Sequence, residues 1–504
     1  MKDKIKEIPT IVMETLTTLT SAGFEAYLVG GCVRDLLLGI KPKDWDITTN
    51  ANPEEIQRLY KKTVYENKYG TVGVINESVK DITLREVQIT PYRTETTYSD
   101  KRRPDNVVFT MDIKDDLKRR DFTINAMALS LPNVSDNEKS KGQIGYILLD
   151  IFNGQKDLAQ KIIHAVGNPK DRFNEDALRM LRAVRLASEL GFKVSHETEN
   201  GIKENAKHIK EIAPERIKDE LAKIIMSFRA GEGIRMMQYY GLLEYIMPEL
   251  EEGIGIEQNK AHKFTVWDHN IKALEHAASK EDWPLGIRLA ALLHDVGKPN
   301  SRRWSEEKGD WTFYGHDVIG AKMATKMLAR LKFSKDTIDL VAKFVRHHLF
   351  FSDTEKITLS AVRRTVRNVG KDHVWDLMKV RFADRIGMGR PKETPYRLRK
   401  YEAMIEEAMR SPLSVTALKI DGQEIMKLIK INPGPKIGYI LHILLDEVLD
   451  DPEKNTTEYL QKRTIELGAL VDKELEKIGK AAKERKDEEE AKEIKTIRQR
   501  WWVK

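Results

Sequence analysis

The sequence predicts a multi-domain α+β protein: a mixed α/β head followed by all-α regions that run to the C-terminus. Three observations carry this reading. The chain has 504 residues, enough for three or four domains of about 150 residues each. Strand-like runs of β-branched and aromatic residues concentrate before residue 150, separated by Gly, Pro, Asn and Asp. From about Asp171 onward the apolar residues recur at helical spacing. The expected divisions are a head over 1–152, a helical neck over 153–260, a histidine-rich unit over 261–390 and a helical C-terminal region over 391–504.

In the head, Ala26–Val29 is the first strand. Gly30-Gly31 turns the chain into a helix over Cys32–Leu38, which Gly39 closes. Trp45–Thr49, Thr71–Ile75, Glu86–Thr90 and Val107–Thr110 follow as strands. The polar stretches Pro91–Asn106 and 132–143 read as loops. Glu175–Leu190 reads as one helix, with Ala177, Leu178, Leu181, Val184 and Leu190 on one side. Arg179, Arg182 and Arg185 lie on another, and Gly191 ends it. Residues 391–412 read as a proline-containing connector, and 473–499 as a solvated Lys/Glu/Ala helix.

Composition excludes several classes. Apolar residues make up 40% of the chain and charged residues 33%, too apolar for global disorder. Mean hydropathy is −0.50, and no apolar run approaches the roughly 18 residues of a membrane span. Met1-Lys2-Asp3-Lys4 lacks the apolar core of a signal peptide. The single cysteine, Cys32, excludes an intrachain disulfide and suits a reducing, cytoplasmic setting. A net charge of +7 permits a polyanionic partner without identifying one.

The first chemical constellation is Gly30-Gly31-Cys32-Val33-Arg34-Asp35 followed by Lys43-Asp44-Trp45-Asp46-Ile47. A Gly-Gly turn before a helix exposes backbone N–H groups where a triphosphate can sit. Asp44 and Asp46 are two apart, so a strand would place both carboxylates on one face. Such a pair can hold one or two Mg²⁺ ions, activate a ribose hydroxyl and stabilise leaving pyrophosphate. Singly, a Gly-Gly or an Asp-x-Asp is commonplace; the order strand, Gly-Gly, helix, Asp-x-Asp strand is far more specific. The run Leu28–Thr49 resembles the signature of class II nucleotidyltransferases of the polymerase-β superfamily, the branch of CCA-adding enzymes and bacterial poly(A) polymerases. The resemblance implies a polymerase-β-like nucleotidyltransferase head. It implies catalytic metals on Asp44 and Asp46, and nucleotide contacts from Gly31 and Arg34. Glu86 lies where the family places a third acidic residue; alternation along the strand leaves a simple solvent-facing role equally open.

Three later runs extend the resemblance. In Arg119-Arg120-Asp121-Phe122-Thr123-Ile124-Asn125-Ala126-Met127, Asp121 or Thr123 is a candidate helix cap. The family reading gives Arg120, Asp121 and Asn125 ribose and triphosphate contacts. Asp150-Ile151-Phe152-Asn153-Gly154 resembles a structural hinge motif. Glu175-Asp176-Ala177-Leu178-Arg179 carries an acid and a base at i and i+3, which project side by side on a helix. A carboxylate accepts from the exocyclic amine of C or A and opposes the carbonyl of U or G, while Arg179 donates to the neighbouring ring nitrogen. The spacing alone equally describes an intrahelical ion pair; in this context it resembles the amino-acid template of CCA-adding enzymes. Arg182 and Arg185 continue the stripe toward triphosphate or primer. Ala213–Leu221 resembles a further motif, read as helix N-terminal structure with little direct chemistry.

The remaining regions refine the expectation. Tyr92–Pro104 resembles the flexible loop of enzymes that add A, which argues against a CC-only enzyme. Pro433-Gly434-Pro435, within Leu418–Leu449, resembles a C-terminal tRNA-binding region. Residues 262–390 hold most of the 12 histidines. Their order, His269, His294-Asp295, His316-Asp317, His347-His348 and Asp384, resembles an HD-type phosphohydrolase domain. Imidazoles and carboxylates on several helices suit a divalent transition metal or Mg²⁺. His269, His294, Asp295 and Asp384 are the expected ligands, with His316 and His347 supporting a second metal. The expectation is therefore a Mg²⁺-dependent enzyme that adds CCA to tRNA from CTP and ATP, with added HD phosphohydrolase activity. The rivals are an A-adding enzyme or poly(A) polymerase, an HD hydrolase acting on RNA ends, and a catalytically silent tRNA-binding protein.

Overall fold

The computed structural model describes residues 8–66, 70–77, 79–95, 107–130, 146–259, 263–349, 357–410 and 415–503. The chain forms two compact units, 1–346 with 383–389, and 347–382 with 390–504.

The first unit begins with nine strands: β1 (Ala26–Val29), β2 (Asp46–Thr49), β3 (Thr63–Glu66), β4 (Thr71–Ile75), β5 (Glu86–Pro91), β6 (Arg93–Glu95), β7 (Val107–Phe109), β8 (Met127–Ser130) and β9 (Ile147–Asp150). Seven of them make one sheet in the order β3-β4-β5-β2-β1-β8-β9. Here β2 and β5 run parallel and the other neighbours antiparallel, the mixed sheet the sequence predicts. Along β5, Val87 and Ile89 are buried while Glu86 and Gln88 are exposed, so alternation gives the sheet one core face and one open face. The helix Gly31–Leu38 follows β1 directly and buries Cys32, Val33 and Leu36.

Several elements differ from the sequence reading. β2 starts at Asp46 rather than Trp45, and Asp44 lies in the bend before it. The loop expected over Pro91–Asn106 begins with β6, which pairs antiparallel with β7 as a separate ribbon. Tyr92, assigned to that loop, is fully buried and donates its hydroxyl to Glu25 Oε2 at 3.0 Å. Residues 96–106 of the loop, and the loop 132–143, lie outside the described residues. After Arg120 the chain makes a single 3-10 turn, Thr123–Asn125, before entering β8, where a capped helix was expected. Phe122 is held in a bridge to Ala165 instead.

The expected helix Glu175–Leu190 is two helices, Pro169–Glu175 and Leu178–Leu190. Asp176 between them is extended, with φ −143°. Its carboxylate accepts from the Leu178 backbone N–H at 3.0 Å, the local side-chain bond by which Asp competes with helix continuation. The break moves Asp176 off the helical i, i+3 geometry. Among the described residues the later part of the chain is helical as expected, except for two short ribbons, 162–163 with 193–194 and 303–305 with 310–312.

In the second unit, the supposed connector is the helix Tyr396–Met409, which buries Leu398, Tyr401, Ala403 and Ile405. The charged tail is the 29-residue helix Asp472–Arg500. It is not wholly solvated: Leu475 and Ala482 join a core with Ile440, Ile443 and Leu444, and Ile497 packs with Ala403 and Val503.

Glu402, on the helix Tyr396–Met409, is 5% exposed. Burial pushes its carboxyl up to about 7, aided by Glu393 and opposed by Arg399. An acid whose folded value exceeds its unfolded one keeps its proton longer in the folded state. Stability therefore falls as pH rises from the ordinary glutamate range through about 7. Glu402→Gln removes this penalty, and the expected gain is on the order of 2–3 kcal/mol at pH 8 and near zero at pH 4. Thermal denaturation at the two pH values checks it; an equal shift at both would assign the effect to packing.

Candidate active sites

The β1 to helix turn and the start of β2 bring together the head's polar groups. Gly30 has φ +78°, and a Cβ there would fall 3.2 Å from Arg120 Nη1 and 3.5 Å from Asp46 Oδ2. Glycine is thus required twice, for backbone conformation and for the approach of these side chains. Gly31 starts the helix, and Asp44 and Asp46 stand on the open face while Trp45 between them is buried. Burial, with the like charge of Asp44, pushes the Asp46 carboxyl up to about 6 against the pull of Arg120. A carboxylate whose ionisation burial and a neighbouring carboxylate oppose is a donor that a divalent cation relieves. Glu86 lies on the same sheet face, but its carboxylate leans over Gly73 of β4, the neighbour of β5 on the side away from β2.

The cations around this pair are themselves held by carboxylates. Buried Asp116 accepts from Arg119 Nε and Nη2 at 3.0 and 2.7 Å, and from Arg120 Nη2 at 3.0 Å. Arg34 donates to Asn125 Oδ1 at 2.8 Å and to Asp35 Oδ1 at 2.8 Å. Asn125 donates onward to Asp121 at 3.2 Å, and Asp121 receives Arg182 Nε at 2.7 Å. Burial alone would raise the Asp121 carboxyl; Arg182 and Asn125 outweigh it and hold it well below the usual range. A continuous chain therefore runs from the Gly-Gly helix through Asn125 and Asp121 to the helix Leu178–Leu190.

On that helix Arg179 is 9% exposed. It donates to Glu175 Oε2 at 2.7 Å and to the Arg119 carbonyl at 2.9 Å. Asp176 does not pair with Arg179. It accepts from Arg216 Nη2 at 2.6 Å and Nη1 at 3.3 Å, a two-pronged grip from the helix Pro214–Met226. Buried Glu220 on the same helix accepts from Arg185 Nη1 at 3.2 Å and stands 3.9 Å from Arg182 Nη1. The helix read as having little direct chemistry thus holds both Asp176 and the arginine stripe. Arg216, Glu220 and Asp116 are the residues sequence reasoning missed. Asp116 had a signal, standing at i−3 and i−4 from Arg119 and Arg120; the others depend on tertiary packing.

A second cluster forms where four segments converge. His269 Nε2 and His294 Nε2 face each other at 2.8 Å. Asp295 Oδ2 lies 3.0 Å and Asp384 Oδ1 3.3 Å from His269 Nε2. The His269, His294 and Asp384 donors are all buried and within 4.8 Å of one another. The His294 Nδ1 lies 2.8 Å from the Ala291 carbonyl, which can only accept, so Nδ1 carries a proton and Nε2 faces inward. Burial disfavours a charged His294, yet Asp295 and Asp384 outweigh it and push its pKa up to about 10. Two carboxylates and two imidazoles converging on one point are a donor set in which a divalent cation would take the place of the Nε2 proton. His316 Nε2 reaches Asp295 Oδ1 at 3.2 Å, and the Lys298 ammonium reaches Asp295 Oδ2 at 2.6 Å. His347 belongs to the second unit and is half-buried, next to the buried His348.

Fold and sites together define a nucleotidyltransferase head joined to a helical region and an HD unit, and comparison with known proteins agrees. Residues 26–164 match the poly(A) polymerase head domain. Residues 191–254 match a probable RNA- and SrmB-binding site of polymerase A, and 267–405 the HD domain. The chain is 32% identical to the CCA-adding enzyme of Pediococcus pentosaceus over 442 residues, 87% of this chain and 93% of that one. It is 42% identical to that of Limosilactobacillus reuteri over 300 residues, 58% of this chain and 68% of that one. The match to the Lactobacillus helveticus enzyme is 47% identical over 223 residues, 44% of this chain and 51% of that protein. The crystal structure of the Bacillus stearothermophilus CCA-adding enzyme in complex with CTP aligns with a TM-score of 0.57 at 26% identity, covering 92% of this chain and 98% of that one. The chain belongs to the family of CCA-adding enzymes.

Proposed function

We propose that this chain adds C, C and A to tRNA 3′ ends, consuming CTP and ATP and releasing pyrophosphate, in the cytoplasm. The observation that carries this is the unbroken polar chain from Arg34 and Asn125 through Asp121 and Arg182 to the helix that bears Arg179. It ties the phosphate end of a nucleotide site to its base-reading end. Mg²⁺ on Asp44 and Asp46 would supply charge for the triphosphate and lower the pKa of the attacking hydroxyl. Arg34 and Arg120 receive phosphate oxygens, each pre-oriented by a carboxylate or amide that fixes the guanidinium before substrate arrives. Asp121 and Asn125 face the ribose. Asp176 and Arg179 accept from and donate to the Watson–Crick edge shared by C and A. Three tRNA transcripts, ending before CCA, after C and after CC, test the activity with labelled nucleotides. Extension of all three to CCA is the expected result. Extension of the CC-ending transcript alone would make it an A-adding enzyme, and a long A tract a poly(A) polymerase.

A second activity is favoured by the converging donors of His269, His294, Asp295 and Asp384. A divalent transition metal or Mg²⁺ there would polarise a phosphoester for hydrolysis. His294→Ala is expected to lower metal affinity at this cluster by more than about 100-fold and to end phosphoester hydrolysis, with CCA addition unchanged. Metal content of the purified variant, read beside both activities, checks this. Full metal retention would remove His294 from the ligand set.

A further inference from the structure

The hairpin that leads from Lys298 to His316 carries a ladder of rings and cations. Strands Arg303–Ser305 and Asp310–Thr312 pair antiparallel, with Trp304 directly opposite Trp311. Their rings meet edge to face at 5.3 Å. The Arg302 guanidinium lies 3.7 Å from the centre of the Trp311 ring. One strand repeat inward, about 7 Å, Phe313 is buried, and the Lys298 ammonium stands 5.7 Å from its ring. The Phe313 carbonyl receives His316 Nδ1–H at 2.5 Å, and Lys298 reaches Asp295. The ladder thus begins in the histidine-aspartate cluster and ends at the surface, where Trp304 is 50% and Tyr314 73% exposed. There the Lys308 ammonium donates to the Tyr314 hydroxyl at 2.6 Å.

We propose that this hairpin is a base-stacking platform, which seats the terminal base of a single-stranded RNA end so that its phosphoester enters the histidine-aspartate cluster. A cross-strand Trp pair also steadies a two-stranded ribbon. That role does not require a half-exposed ring, a guanidinium laid on its partner, or a second exposed aromatic carrying its own ammonium. Alternating rings and cations are the means by which proteins hold single-stranded nucleic acid without reading sequence. Exposed Glu306 and Glu307 occupy the hairpin tip, which keeps a phosphate backbone off the tip and on the ladder face. The platform rests on the reading of the cluster as a phosphoester hydrolase, and it names the residues that would make that site prefer a nucleotide end to a base-free phosphate.

The test uses the full-length protein with Mn²⁺ and two probes, 2′-AMP and base-free glycerol 2-phosphate. Equilibrium dialysis reads binding, and phosphate release reads hydrolysis. Trp304→Ala and Tyr314→Ala are each expected to weaken 2′-AMP binding about tenfold, with glycerol 2-phosphate binding and turnover unchanged. Trp304→Phe keeps a ring and is expected to restore most of the affinity. Equal losses on both probes would assign the hairpin a structural role and overturn the platform, as would unchanged 2′-AMP binding. If wild type binds 2′-AMP through its base but hydrolyses neither probe, the platform stands and the hydrolase reading falls. Hydrolysis of both probes without base dependence has the reverse meaning.

Discussion

Asp46→Asn is expected to lower nucleotide incorporation at least about a thousandfold while tRNA binding stays intact. The carboxylate sits where β2 begins, on the open face, beside Asp44 and within reach of Arg120. Asparagine preserves shape and the bulk of the packing, so what is lost is charge. A readout independent of activity comes from stability. Ionised Asp46 is disfavoured in the fold because burial and Asp44 raise its pKa to about 6. Above that pH, without a divalent cation, the charged form costs stability, and the neutral amide removes the cost. In metal-free buffer at pH 8 the variant is therefore expected to melt at or above the wild-type temperature. Added Mg²⁺ should stabilise wild type by mass action more than the variant, the histidine-aspartate cluster being common to both. An inactive variant that Mg²⁺ still stabilises equally would place the cation elsewhere.

The contrast between what the chain revealed and what it concealed follows from range. The Gly30-Gly31 turn, the helix after it and the alternation of β5 depend on neighbours two to four residues away, and these were legible. So was the grouping of His269, His294, Asp295 and Asp384, because their residue types in that order already suit a shared cation. The break at Asp176 was missed because helical periodicity of the apolar residues continues through it; only the side chain's bond to Leu178 N–H decides for the turn. The strand β8 was missed because its partner β1 lies far away in sequence; β3 and β9 pair with the neighbouring strands β4 and β8 and were missed as short edge strands. The partners of the arginine stripe were hidden for the same reason: Glu220 and Arg216 reach back across about 35 and 40 residues, a distance no local pattern encodes.

The other large effect is expected at Asp176. Asp176→Ala should relax selection of C and A over U and G by about 10- to 100-fold, the size of one base-edge hydrogen-bond pairing. The geometry adds a second variant. Arg216 grips Asp176 through Nη1 and Nη2, and Glu175 with the Arg119 carbonyl grips Arg179. Neither grip saturates its group: a carboxylate has about four acceptor sites and a guanidinium five donors, so each retains capacity for a base. What the grips remove is rotational freedom, and selectivity depends on it, because a free carboxylate could turn away from a mismatched carbonyl. Arg216→Met is therefore expected to lose part of the selectivity without touching any nucleotide and without changing triphosphate affinity. Combined with Asp176→Ala it should add nothing, since a positioning residue has no effect once its target is gone. Misincorporation ratios for the two single variants and the double variant, on a transcript ending before CCA, decide the point. Additive losses would mean that Arg216 acts through the RNA or the triphosphate rather than through Asp176. Selectivity unchanged in Asp176→Ala would remove the template role from this residue altogether.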